Sequence, residues 1–121
     1  MPTVTYSQTE HLPVSFERAD ATFLDFWAAS FRASGWVRVA PGVYRDTAKI
    51  GWRRSVVLTD TVSFRAAPAG GTDVTYQRSY HSFVAGPVLQ PLMKPAWRSL
   101  FHDWHRMFTR YLDAGDQRAV A

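Results

Sequence analysis

Between Trp36 and Ser82 apolar and polar residues alternate with a period of two, and on both sides of that stretch the apolar residues recur at helical spacing. Successive side chains of a strand point to opposite faces, whereas a helix gathers positions three and four apart onto one side. The change of period therefore divides most of the chain into helix, sheet and helix. The alternating region breaks at turn residues into WVRVA, a Pro41-Gly42 turn, VYRD, KIGWRRSVVLT, TVSFRAA, the turn PAGGTD and DVTYQRSYHS. This reads as four antiparallel strands. Residues Thr3 to Ser7 predict a further strand ahead of the first helix, followed by the short apolar piece LPVSF.

The first helix is predicted over Ala21 to Ser34. Asp20 is placed as its N-cap, Phe23, Leu24, Phe26, Trp27 and Phe31 share one arc, and Gly35 ends it. Residues Gly86 to Pro95 carry three prolines and read as an apolar linker that serves as a cavity lid, as a subunit contact or as a loop covering the sheet edge. The second helix is predicted over Ala96 to Asp113, with Trp97, Leu100, Phe101, Trp104, Phe108, Tyr111 and Leu112 on a broad apolar face that only the sheet can bury. The tail from Ala114 reads as flexible, so residues 1–113 are expected to form a single α+β domain.

Aromatic residues make up 15% of the 121 positions, enough for either a ring-packed core or a ring-lined pocket. The absence of cysteine excludes disulfides, thiolate metal sites and cysteine nucleophiles. A net charge of +4 suggests an acidic partner, but the arginines are scattered and the longest basic run is Arg53-Arg54, so no specific nucleic-acid binding is expected. The amino terminus lacks a signal-like apolar run, and no apolar stretch approaches the roughly 18 residues of a membrane span. A soluble cytoplasmic protein without a transmembrane segment is the expectation.

A first strand, an inserted helix, a run of antiparallel strands and a long closing helix follow one another. From Gly70 to Leu112 the segments GGTDVTYQRSY, GPVLQPLMKP and AWRSLFHDWHRMFTRYLDA look like a last strand, a linking turn and a carboxy-terminal helix. In this the chain resembles the START and polyketide cyclase-like superfamily, known as the helix grip, with fewer strands than is usual there. The resemblance implies an antiparallel sheet gripped by the long helix, with a cavity between them for a lipid, a polyketide or another apolar molecule. It also implies that any catalysis would be a cyclisation or dehydration.

The alternation marks two odd residues. Arg78 shares a face with Val74, Tyr76 and Tyr80, and Arg54 shares one with Ile50, Trp52, Val56 and Leu58. Burying a guanidinium is costly unless a fixed anion compensates it. Either an acidic or enolic ligand supplies that anion, or the arginines are structural and reach water or a partner such as Asp60 or Asp73. A bulge at Gly51 would swap the faces. The expected sheet-side lining is thus Trp52, Arg54, Tyr76, Arg78 and Tyr80, and the helix contributes Trp97, Phe101, Trp104, His105 and Phe108.

HDWH, residues 102–105, sets His102 and His105 at a spacing that metals use, but with only two ligands evident no metal is expected, nor any cofactor. Tyr76, Tyr80 and His105 are the inward groups able to move protons, and no nucleophile pairing stands out. The reading is a binder of a small apolar or amphipathic molecule. The alternative is an interaction module that packs its aromatic helix face on a partner or on a second copy of itself.

Overall fold

The computed structural model describes residues 3–31, 35–50, 52–54, 56–82 and 86–120. Strand β1 (Thr3–Leu12) leads to helix α1 (Phe16–Phe31), then β2 (Val37–Ala40), β3 (Val43–Ile50), a 3-10 turn at Trp52–Arg54, β4 (Val56–Ala66), β5 (Thr72–Ser82) and helix α2 (Gly86–Val120). The five strands form one antiparallel sheet in the order β1-β5-β4-β3-β2. The first strand therefore lies beside the last, in an unbroken register from Thr3 opposite His81 to Leu12 opposite Thr72. Helix α2 lies over β1 and β5, and α1 packs on β4 and α2.

Besides β1, which runs on past Ser7 to Leu12, three elements differ from the sequence expectation. Helix α1 starts at Phe16, where the Ser15 hydroxyl accepts a hydrogen bond from the Arg18 amide at 3.3 Å. Ser15 is the cap, and Asp20 lies inside the helix. The Asp20 carboxylate instead accepts from the Tyr44 hydroxyl (2.6 Å), the Gly42 amide (3.2 Å) and Arg38 (2.8 Å), tying the β2–β3 hairpin to α1. Cap and tether use the same acceptor chemistry, so residue type alone cannot separate them. Ser34 lies outside the described residues.

Helix α2 is longer than expected at both ends. It begins at Gly86, and Pro87 in its first turn removes only an amide that has no helical partner. Pro91 and Pro95 stand four apart, so the amides they lack fall on one side of the helix, and Pro95 is exposed to water there. At the other end the helix continues past Asp113 through Ala114 to Val120.

The third difference falls inside KIGWRRSVVLT, which is two strands joined by a turn and not one strand. Arg53 and Arg54 have φ of 53° and 54°, the left-handed region, and Ile50 pairs with Val56 across the turn. Ile50 and Val56 are six apart, an even separation, so the two fall on the same face and the alternation continues across the turn unbroken. Periodicity was blind to the turn for that reason. Arg54 consequently stands exposed in the turn and is not on the inward face with Leu58.

The core lies between the concave sheet face and the two helices. Phe23 of α1 is stacked on Tyr44 at 4.6 Å and meets Trp36, Phe64 and Phe108 edge-on at 5.2, 5.5 and 5.9 Å. Phe101 of α2 lies between Tyr6 and Tyr76, stacked on both. The aromatic face of α2 is therefore spent on the protein's own core, with Phe101 and Phe108 fully buried, which removes it as a docking face for a partner. At the Pro41-Gly42 turn, Gly42 has φ +73°, and a Cβ there would lie 2.6 Å from the Phe16 ring and 3.1 Å from the Phe64 carbonyl. Gly42→Ala is expected to lower stability by more than about 1 kcal/mol in chemical denaturation, because both the backbone and the space oppose it.

Candidate functional site

Cross-strand pairing aligns Tyr6, Arg78, Asp60 and Asp46 in one row across β1, β5, β4 and β3. Arg78 points inward, as its alternation requires, and meets Asp60 there. Its Nε and Nη2 donate to the two Asp60 carboxylate oxygens at 2.7 and 2.9 Å, a bidentate pair with side chains 13% and 11% exposed. The guanidinium also stands 5.8 Å from the ring centres of Trp97, Phe101 and Trp104. Of the two roles open to Arg78, the free protein displays the structural one.

Asp46 continues the row beyond Asp60. Burial first, and the neighbouring Asp60 charge second, raise its pKa above the ordinary carboxyl value. A Cβ on Gly35 would overlap its Oδ1, so the chain crosses directly over this carboxyl. The folded chain holds the Asp46 proton to higher pH than the unfolded chain. Between the two values folding takes up a proton, and stability falls as pH rises through that window. Asp46→Asn is expected to raise the melting temperature at pH 7. Its advantage over the wild type should close as pH falls toward the unfolded carboxyl value of about 3.9, read by thermal melts across pH.

The remaining expected lining residues divide. Tyr76, Phe101 and Phe108 belong to the main core, Tyr80 and Trp97 form a second cluster with Val4, and Trp104 meets Trp27 edge-on at 5.0 Å. The backbone of Trp52 lies in the 3-10 turn. Toward Leu12 and Phe108 the space between sheet and helices is filled by side chains. Toward the other end the inward face is less covered: Ala48 pairs with Leu58 and Ile50 with Val56 on that face, yet Ala48 is exposed and Ile50 is 46% exposed. Val56 and Leu58 are partly buried against the Trp97 and Tyr80 cluster at the margin of this open stretch.

A second polar group lies at the β1 side. His105 Nε2 is 2.8 Å from the His11 carbonyl and must donate to it, so in neutral His105 the Nδ1 lone pair accepts from the Tyr76 hydroxyl at 2.9 Å. Burial, and then the Glu10 charge, push the Tyr76 pKa up and keep the phenol neutral. Glu10 accepts from His102 Nδ1 at 3.2 Å, and its other oxygen is buried 3.8 Å from His105 Nδ1. Outside this group, a groove of about 640 Å³ runs between β1 and α2, lined by Tyr6, Ser7, Gln8 and Glu10 on one wall and Pro95, Arg98, Ser99 and His102 on the other.

Asp46, Glu10 and Tyr6 did not stand out in the sequence. The inward row Leu58, Asp60, Val62, Phe64 did hold a signal for Asp60, since it puts a carboxylate at the one position matching an inward arginine on the next strand.

No family model matches this chain, and no curated protein does. Solved structures do match. A protein of unknown function from Staphylococcus aureus superposes with a TM-score of 0.60 at 12% identity, covering 96% of this chain and 97% of that one. Ara h 8.0201 gives 0.52 at 12% identity over 93% and 99% of the two chains. The di-domain ARO/CYC StfQ from the steffimycin biosynthetic pathway gives 0.53 at 10% identity, covering 98% of this chain and 53% of that one. The fold is the helix grip. Among the described residues the sheet of this helix grip has five strands, and α2 is the gripping helix. Among the described residues no helix is long and apolar enough to cross a membrane.

Proposed function

We propose that this helix grip, acting in the cytoplasm, binds a small, mainly apolar or amphipathic molecule on the open stretch of its concave face. The observation that carries the reading is the inward yet exposed pair Ala48 and Ile50, which continues the core-facing side of the sheet where, among the described residues, no helix covers it. An apolar ligand there covers Ile50, Ala48 and the edges of Val56 and Leu58, and each fully removed side chain of this kind contributes roughly 1.5–3 kcal/mol. Asp46, in the next row, offers its carboxyl to the polar end of the ligand. Arg78 supports the site from behind through Asp60 and the surrounding rings. Binding, not conversion, is the activity favoured, because Tyr76 and His105 are engaged with each other and with the His11 backbone.

Titration with the uncharged fluorescent probe Nile red tests this, together with native mass spectrometry of material extracted from the purified protein. The expected result is saturable probe binding that Ile50→Arg weakens by about tenfold or more, with an unchanged melt of the free protein. Wild-type affinity in Ile50→Arg overturns the reading.

A further inference from the structure

The two edges of the sheet are built differently. Strand β2 is four residues long and its pairing shifts register between Arg38 and Ala40. Short, irregular edges of that kind resist pairing with another chain. Strand β1 is ten residues long, pairs with β5 without a bulge, and contains no lysine, arginine or proline anywhere in TVTYSQTEHL. Among the described residues no strand pairs with its outer side. A groove of about 640 Å³ lies between this strand and α2, walled on the helix side by Pro95, Arg98, Ser99 and His102, and at the far end of the strand His105 reaches the His11 carbonyl.

The outward face of β1 is Thr3, Thr5, Ser7, Thr9 and His11, all exposed, and apart from its ends this row reads the same in both directions about Ser7. On the occupied side these side chains already bond across strands: Thr5 to Ser79 at 3.3 Å, Thr9 to Thr75 at 3.0 Å and Thr3 to His81 at 2.9 Å. We propose that β1 pairs antiparallel with β1 of a second copy, about a two-fold axis through Ser7, joining two sheets into one. Directly paired residues of antiparallel strands share a face, so a symmetric pairing must centre on a residue. Centring it on Ser7 sets Ser7 against the partner's Ser7 and Thr5 against the partner's Thr9, hydroxyl to hydroxyl with no like charges opposed. On the inner face Tyr6 meets the partner's Gln8 and Val4 meets the partner's Glu10, which brings a carboxylate to the groove wall that holds Arg98. An unrelated extended peptide would use the same edge amides, but the near-palindrome of the row favours the chain's own copy.

The chain has no cysteine, which makes the register directly testable. Sedimentation velocity of the full chain should show a monomer–dimer equilibrium that Ser7→Lys shifts to monomer without changing the melt. Under copper–phenanthroline oxidation Ser7→Cys should form a covalent dimer, since paired Cβ atoms stand about 4.5–5.5 Å apart. Thr5→Cys alone should not, and the double variant Thr5→Cys/Thr9→Cys should. A wild type that stays monomeric into the high micromolar range overturns the proposal, even if it then takes up an extended peptide at β1. So does a dimer that Ser7→Lys leaves intact, or one in which Thr5→Cys crosslinks and Ser7→Cys does not.

Discussion

Arg78→Met is expected to cost about 3–5 kcal/mol of folding stability, measured by urea denaturation at neutral pH, because it strands the Asp60 carboxylate in the core. The two side chains exchange two short hydrogen bonds, and both are nearly enclosed. Removing one charge leaves the other without compensation in a region walled by Trp97, Phe101 and Trp104. Removing both is a different experiment: Arg78→Met combined with Asp60→Leu replaces the pair with apolar volume and should recover most of the loss, since buried ion pairs seldom outperform a well-packed apolar substitute. The coupling between the two substitutions is then large and is read from the double-mutant cycle. If Arg78→Met keeps wild-type stability and instead abolishes probe binding, the arginine serves the ligand and the pairing with Asp60 is incidental.

Phe23→Ala should cost about 3–5 kcal/mol, the range for deleting a buried phenyl ring. Phe23 is 2% exposed and stands where α1, β3, β4 and α2 meet, in ring contact with Tyr44, Trp36, Phe64, Phe108 and Trp27. The cavity left behind borders rings on four elements, and flat side chains held on separate backbones relax into it poorly. Near-ultraviolet circular dichroism should lose intensity together with the fall in denaturation midpoint. A cost below about 1 kcal/mol would mean that α1 docks loosely and that the aromatic core closes without it.

The sequence by itself determined the succession of elements and the inward side of each. Both follow from local geometry: a strand repeats every two residues and a helix every 3.6, so the placing of Phe23, Phe101 and Phe108 on helix arcs and of Val74, Tyr76 and Arg78 on one strand face needs no knowledge of distant contacts. The same local rule could not tell that Trp52–Arg54 is a turn, because an even spacing keeps the alternation intact across it. Nor could it extend α2 through three prolines, each of which lowers the helix propensity of the segment it stands in. Only the tertiary structure decided what the inward arginine faces: Asp60 lies 18 residues away in the chain and directly opposite in the sheet. Tertiary packing likewise covered the inward face around Phe101 and Phe108 with rings while leaving Ala48 and Ile50 of β3 exposed, and it put β1 at the edge. Which strand lies beside which, and which half of a face receives a helix, depend on contacts between residues far apart in the chain, and a periodicity read along the chain holds no term for them.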